Sequence, residues 1–220
     1  MDHRRRPDAH RSGSIVALAV LAGPLLHAVE LVERDAVVRL EIPPGGYEYA
    51  VDGANGGFTG TGSYGSRFVL AGLVRRSFAD PGDRTGLTGV IGPAVGWAAL
   101  PAGSRTWAEL RGSLGLGVQL DPAWTMSLDA QVAVGADRLQ LDGDATVGSY
   151  SGYGAHVAGG PELRVAWSPM GTWRISASAG WRMERALTDD GATRITVRGS
   201  GPVFAIAWEL PLSQAPGALE

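Results

Sequence analysis

RTWAELRGSLGLGVQL, residues 105–120, decides the fold class. Leu110, Gly112, Leu114, Leu116, Val118 and Leu120 fall on one face of an extended chain. Glu109, Arg111, Ser113, Gly115, Gly117 and Gln119 fall on the other. A period of two with one apolar and one polar face is the signature of a strand in a two-sided sheet.

The pattern recurs on both sides of this run. Trp124, Met126, Leu128, Ala130, Val132 and Val134 alternate with Thr125, Ser127, Asp129 and Gln131. Val157, Leu163, Val165 and Trp167 oppose His156, Glu162 and Arg164. Trp173, Ile175, Ala177, Ala179, Trp181 and Met183 oppose Arg174, Ser176, Ser178, Arg182 and Glu184. Further strands are predicted over residues 47–56, 66–78, 85–100 and 194–210. In the last of these, Ile195 and Val197 lead in one phase and Phe204, Ile206, Trp208 and Leu210 follow in the other. That change of phase predicts a β-bulge near residues 199–202. About eight strands result, several longer than the ~9–11 residues needed to cross a bilayer.

Tight, proline-containing turns at 80–83, 121–123 and 168–171 alternate with more open polar connections at 142–152 and 188–193. The short connection at 101–104 fits the open set less well. Trp124 and Trp173 follow two tight turns, while Trp167 and Trp208 end two strands running toward the same side. These four tryptophans are predicted to form an aromatic girdle at one membrane interface.

Composition narrows the classes. The 33 glycines among 220 residues argue against a helical fold, since each costs a helix interior about 1 kcal/mol. Cysteine is absent, which removes disulfides, thiolate metal sites and cysteine nucleophiles. A net charge of −3 gives no basic surface for nucleic acid. Arg4, Arg5 and Arg6 precede an apolar run over residues 15–26 and a small residue at Ala28, the pattern of a secretory signal. The expected organisation is a signal peptide at 1–28, a linker or short strand at 29–46, a barrel at 47–210 and a tail at 211–220. The fold class is all-β, a single up-and-down antiparallel transmembrane barrel. A chain that spans lipid with strands must close them, because lipid cannot satisfy an open edge.

The hairpin layout, the turn-then-Trp pairs at Trp124 and Trp173, the charged interior face and the aromatic-rich final strand resemble the small eight-stranded outer-membrane barrels of the OmpA and OmpX type. The resemblance spans residues 47–210 and implies insertion by the outer-membrane assembly machinery among outer-membrane lipids. In that family the chain commonly ends on an aromatic residue of the final strand, whereas here Pro211 and nine further residues follow. A wall-tethering role is not expected.

An eight-stranded lumen is filled by side chains. Glu109, Arg111, Asp129, Glu162, Arg164, Arg182 and Glu184 are therefore predicted to form a lumen ion-pair network, since an unpaired buried charge costs several kcal/mol. His156 is predicted to be a lumen histidine satisfied by its neighbours rather than a general base. The Gly60–Gly65 match to G-x-G-x-x-G is read as a hairpin loop, because the dinucleotide motif requires a following helix. Asp142-Gly143-Asp144 lacks the later ligands of a calcium loop. No catalytic, cofactor-binding or metal-binding residue is predicted. The expected function is a non-enzymatic outer-membrane barrel with an envelope-structural or surface-interaction role and at most a narrow pore. The alternatives are a lipid-modifying barrel enzyme and a soluble periplasmic barrel that binds an apolar ligand.

Overall fold

Ten strands run up and down: β1 Glu33–Ile42, β2 Gly46–Gly53, β3 Gly56–Ser63, β4 Arg67–Phe78, β5 Thr85–Leu100, β6 Gly103–Gln119, β7 Trp124–Leu141, β8 Tyr150–Trp167, β9 Arg174–Asp189 and β10 Thr193–Pro211. The computed structural model describes residues 33–42, 45–53, 56–78, 84–142, 149–169 and 173–211. The 1–28 signal segment, residues 212–220 of the tail, the 80–83 turn and the tip of the 142–152 connection lie outside the described residues.

All pairings are antiparallel, in the order β1-β4-β5-β6-β7-β8-β9-β10, and β10 returns to pair with β1. Eight strands thus close a ring with no free edge. The wall begins earlier than residue 47. Val38, Leu40 and Ile42 of β1 point outward and Arg39 and Glu41 inward, with β4 on one edge and β10 on the other. The predicted first strand, from Tyr47 onward, is instead the upward continuation of β1. β1 and β2 meet β10 in the same register, Asp35↔Pro211 to Ile42↔Phe204 for β1 and Tyr47↔Gly199 to Gly53↔Thr193 for β2. Pro43-Pro44, which carry no amide hydrogens, separate them in sequence. The β2–β3 hairpin rises beyond the β5–β6 hairpin, and among the described residues β3 pairs with β2 alone.

No bulge lies at residues 199–202. The β9–β10 register is constant from Asp189↔Arg194 to Arg174↔Glu209, and burial alternates without a slip. Polarity reverses there, not phase. β6 to β10 are 16–19 residues long and outreach the hydrocarbon by several residues. Above it the outside is water, so Arg194, Thr196 and Arg198 face outward while Ile195 and Val197 pack inward with Leu139, Tyr150 and Ala186. The observed slip lies elsewhere, at the start of β4 on the far side of β1. Tyr64 and Arg67 both point inward with Gly65 and Ser66 between them. There the Tyr64 amide donates to Gly45 O at 2.7 Å, whereas the Gly65 amide donates to Ala99 O at 2.9 Å. The Gly60–Gly65 motif is consequently not a hairpin loop. Gly60 and Gly62 lie on β3, where their missing side chains make room for the Tyr49 and Tyr47 rings.

At the end that carries both outer strand termini, the β6–β7 turn is tight. Asp121 Oδ1 accepts the amides of Ala123 and Trp124 at 2.7 and 2.9 Å, closing β6 onto β7. At the opposite end the 101–102 connection is a two-residue hairpin turn, with Leu100 directly opposite Gly103.

Candidate functional site

The strands place two chemically opposite surfaces back to back. Outward positions form a continuous apolar band: Leu114 is 60% exposed, Leu116 64%, Leu128 62% and Val132 61%, with Ile91, Val134, Leu163 and Phe204 similarly bare. A water-soluble fold seldom leaves so large a contiguous apolar surface open. Facing hydrocarbon, each such side chain is in its preferred medium, and the exterior is that of a membrane-spanning barrel.

Tryptophans border the band near the termini. Trp124, Trp167, Ile175, Trp208 and Val38 occupy directly opposite positions on five neighbouring strands. The Trp124 and Trp167 ring centroids are 6.1 Å apart, and Trp173 meets Trp167 edge-on at 6.4 Å. Trp124, Trp167 and Trp208 are exposed, and Trp173 is half-buried.

The interior is a ladder of charges. Among the described residues, seven arginines and eight carboxylates are buried. Near the termini, Glu209 accepts from Arg75 at 2.7 Å and from Arg164 at 3.0 Å. Asp129 accepts from Thr88 at 3.1 Å and Ser127 at 2.8 Å, with Arg164 at 3.8 Å. In the middle, Arg39 donates to Glu162 at 2.6 Å and to Glu41 at 3.2 Å. Glu41 also pairs with Arg111 and, at 3.1 Å, with Arg182. Glu109 takes Arg111, Arg182 at 3.0 Å and His156 Nε2 at 2.8 Å. Toward the loops, Arg105 bridges Asp137 at 2.7 Å and Glu184 at 3.0 Å and donates to the Tyr64 hydroxyl at 2.6 Å. Glu184 also holds Arg67. Glu109, Arg111, Asp129, Glu162, Arg164, Arg182 and Glu184 all face the lumen and belong to this ladder. His156 sits between Glu109 and Asp137, 1% exposed.

Arg67, Arg75, Arg105, Asp137 and Glu209 also belong to the ladder although the predicted network does not name them, and four further participants are harder to see. Arg39 and Glu41 lie in the stretch read as a linker or short strand, where V-R-L-E-I at 38–42 carries the same alternation as β6. Tyr64 turns inward only because of the slip beside it. Trp107 is a lumen residue, 3% exposed, stacked on His156 at 5.9 Å and lying under the Arg67 and Arg105 guanidiniums at 4.9 and 5.1 Å. Its seat is made by Gly96, where a Cβ would collide with the indole ring.

Little space remains. The cavity lined by Arg39, Arg111, Asp129, Glu162 and Arg164 measures about 30 Å³, room for about one water. The arrangement neutralises and fills the lumen. Its carboxylates and its histidine are engaged by neighbouring side chains and face no open cleft.

No protein-family model matches the chain, and no curated protein matches it. Solved structures with a similar course include the outer membrane protease OmpT from Escherichia coli, at 6% identity and a TM-score of 0.49, covering 84% of this chain and 99% of that one. Neisserial surface protein A is similar at 8% identity and TM-score 0.40, covering 80% and 96%. The attachment invasion locus protein Ail of Yersinia pestis, solved with the heparin analogue sucrose octasulfate, is similar at 12% identity and TM-score 0.34, covering 81% and 100%. These likenesses are of fold alone.

Proposed function

We propose that this chain is an integral outer-membrane barrel with a non-enzymatic, envelope-structural or surface-interaction role. The N-terminal signal segment delivers it, the outer-membrane assembly machinery inserts it, and outer-membrane lipids surround it. One observation carries the reading: the wall is apolar outside while its lumen is occupied by mutually paired charges, with room for about one water between Arg39 and Arg164. A lumen so filled favours a plugged wall element over a diffusion channel. The parts left to meet other molecules are the β2–β3 extension and the loops at that end.

Reconstitution in planar bilayers tests this. The folded protein is expected to leave the membrane electrically tight, and sustained porin-sized conductance steps would overturn the sealed lumen. Mass spectrometry of lipid A from cells with and without the protein is expected to show no change; a lost acyl or phosphate group would overturn the non-enzymatic role. Recovery of the folded protein in the aqueous phase without detergent would overturn the membrane placement.

A further inference from the structure

One pair of side chains on the outer wall concentrates like charge where the apolar band meets its polar rim. Arg185 of β9 and Arg198 of β10 are directly opposite each other, and both are exposed on the outward face. Directly opposite side chains in an antiparallel pair stand about 5 Å apart, so like charges there repel. Among the described residues neither guanidinium has a carboxylate within ion-pair distance.

The surroundings of Arg185 sharpen the problem. Val157 lies opposite it on β8, and Met183 and Leu187 precede and follow it on the same face, all exposed. Thr196 and Ser200 flank Arg198 on β10, and Glu48 of β2 is opposite Arg198 on its far side. Four residues nearer the loops, Arg194 is already paired with Asp189 at 3.3 Å. Just toward the band, Trp181 is half exposed and donates its indole N–H to Ser200 at 2.9 Å. Two arginines with a single carboxylate, Glu48, directly opposite one of them therefore stand where the apolar wall gives way to its polar upper rim, with a net positive charge and aliphatic side chains beside them.

We propose that Arg185 and Arg198 bind the phosphate of a lipid headgroup in the leaflet on the loop side, its acyl chains lying along Met183, Val157 and Trp181. A single phosphate between two guanidiniums removes their repulsion and supplies charge-assisted hydrogen bonds to both. The apolar residues below suit the chains of the same molecule. The inference rests on the membrane placement proposed above.

The test uses the full folded protein in a neutral maltoside detergent, with retained lipid read by native mass spectrometry. Phosphatidic acid is expected to be retained one per protein and phosphatidylcholine far less, with retention falling as salt rises. The Arg185→Gln/Arg198→Gln double variant is expected to retain phosphatidic acid at least roughly tenfold more weakly, as loss of charged hydrogen bonds implies. Arg194→Gln serves as a control that leaves retention unchanged. Equal retention by parent and double variant, both with the heat-dependent gel shift of a folded barrel, would overturn the proposal and leave the membrane placement intact. Displacement of the lipid by millimolar inorganic phosphate would make the pair a free-phosphate site and overturn the lipid assignment. A dimer lost in the double variant would also overturn it, by making the patch an interface between copies. A protein that is soluble without detergent fails the membrane placement itself.

Discussion

Glu41 holds three arginines, and that number sets the cost of losing it. Arg39, Arg111 and Arg182 converge on its carboxylate, with Glu109 and Glu162 the other carboxylates hydrogen-bonded to the same three. Glu41→Gln keeps the shape and removes the charge, leaving three guanidiniums for two carboxylates. Breaking a buried pair from one side costs about 3–5 kcal/mol, and that range is expected here. Removing one arginine as well restores the balance. In Glu41→Gln/Arg182→Gln, Arg39 keeps Glu162 and Arg111 keeps Glu109. The double variant is therefore expected to recover about 1–3 kcal/mol relative to the sum of the two single losses. The assay is reversible urea unfolding in phosphatidylcholine vesicles, followed by tryptophan emission. A Glu41→Gln loss below about 1 kcal/mol, or strictly additive losses, would refute the charge-balance argument.

Leu114→Arg, on the lipid-facing side of β6, is expected to cost about 2–4 kcal/mol in the same assay if that position lies near midplane, and replacement by Ile very little. Gly96→Ala must displace the Trp107 ring and is expected to cost about 1–3 kcal/mol, with loss of near-ultraviolet dichroism from the buried indole. Asp121→Ala removes the carboxylate oxygen that accepts two amides in the β6–β7 turn and is expected to cost about 1 kcal/mol, measured as a lower urea midpoint. Asp190 accepts the Ala192 and Thr193 amides, which hold its carboxyl below the usual carboxylate range. Its contribution to the β9–β10 turn is present above the ordinary carboxylate value and lost as pH falls through the lowered one, and an NMR titration of Asp190 that gave an unshifted value would contradict this.

Much of the wall was legible because lipid and lumen impose opposite demands on alternate residues. Within the membrane each strand from β5 to β9 spells its two faces directly, and the eight-stranded closed ring follows. Legibility ended where those demands changed. Above the hydrocarbon, water replaces lipid outside, so Ile195 and Val197 turn inward and mimic a slip that the register excludes. The real slip leaves no hydrophobic mark, because it falls on two small residues, Gly65 and Ser66, between Tyr64 and Arg67. β1 reads as a linker or short strand outside the barrel because of its position before Pro43-Pro44, although the strands on either side share one register against β10. Trp107 was hidden by its type: an indole in a charged lumen is explained only by Gly96 across the strand and by the guanidiniums above it, none of which is adjacent in sequence.

The β1–β10 seam sets a condition on how the molecule is made. Every other junction in the ring joins strands that are neighbours along the chain or separated by one hairpin, and can form locally. The seam joins Val38 to Trp208, so it waits for the whole ring to be synthesised and brought round. Until it zips, a sheet lying in lipid has two raw borders whose amides and carbonyls each lack a partner, at several kcal/mol apiece. A half-inserted sheet is thus an unstable stopping point. Entry into the bilayer and sealing of the last junction must proceed together, and a catalyst that temporarily covers either raw border would lower the barrier more than one that merely delivers the chain to the surface.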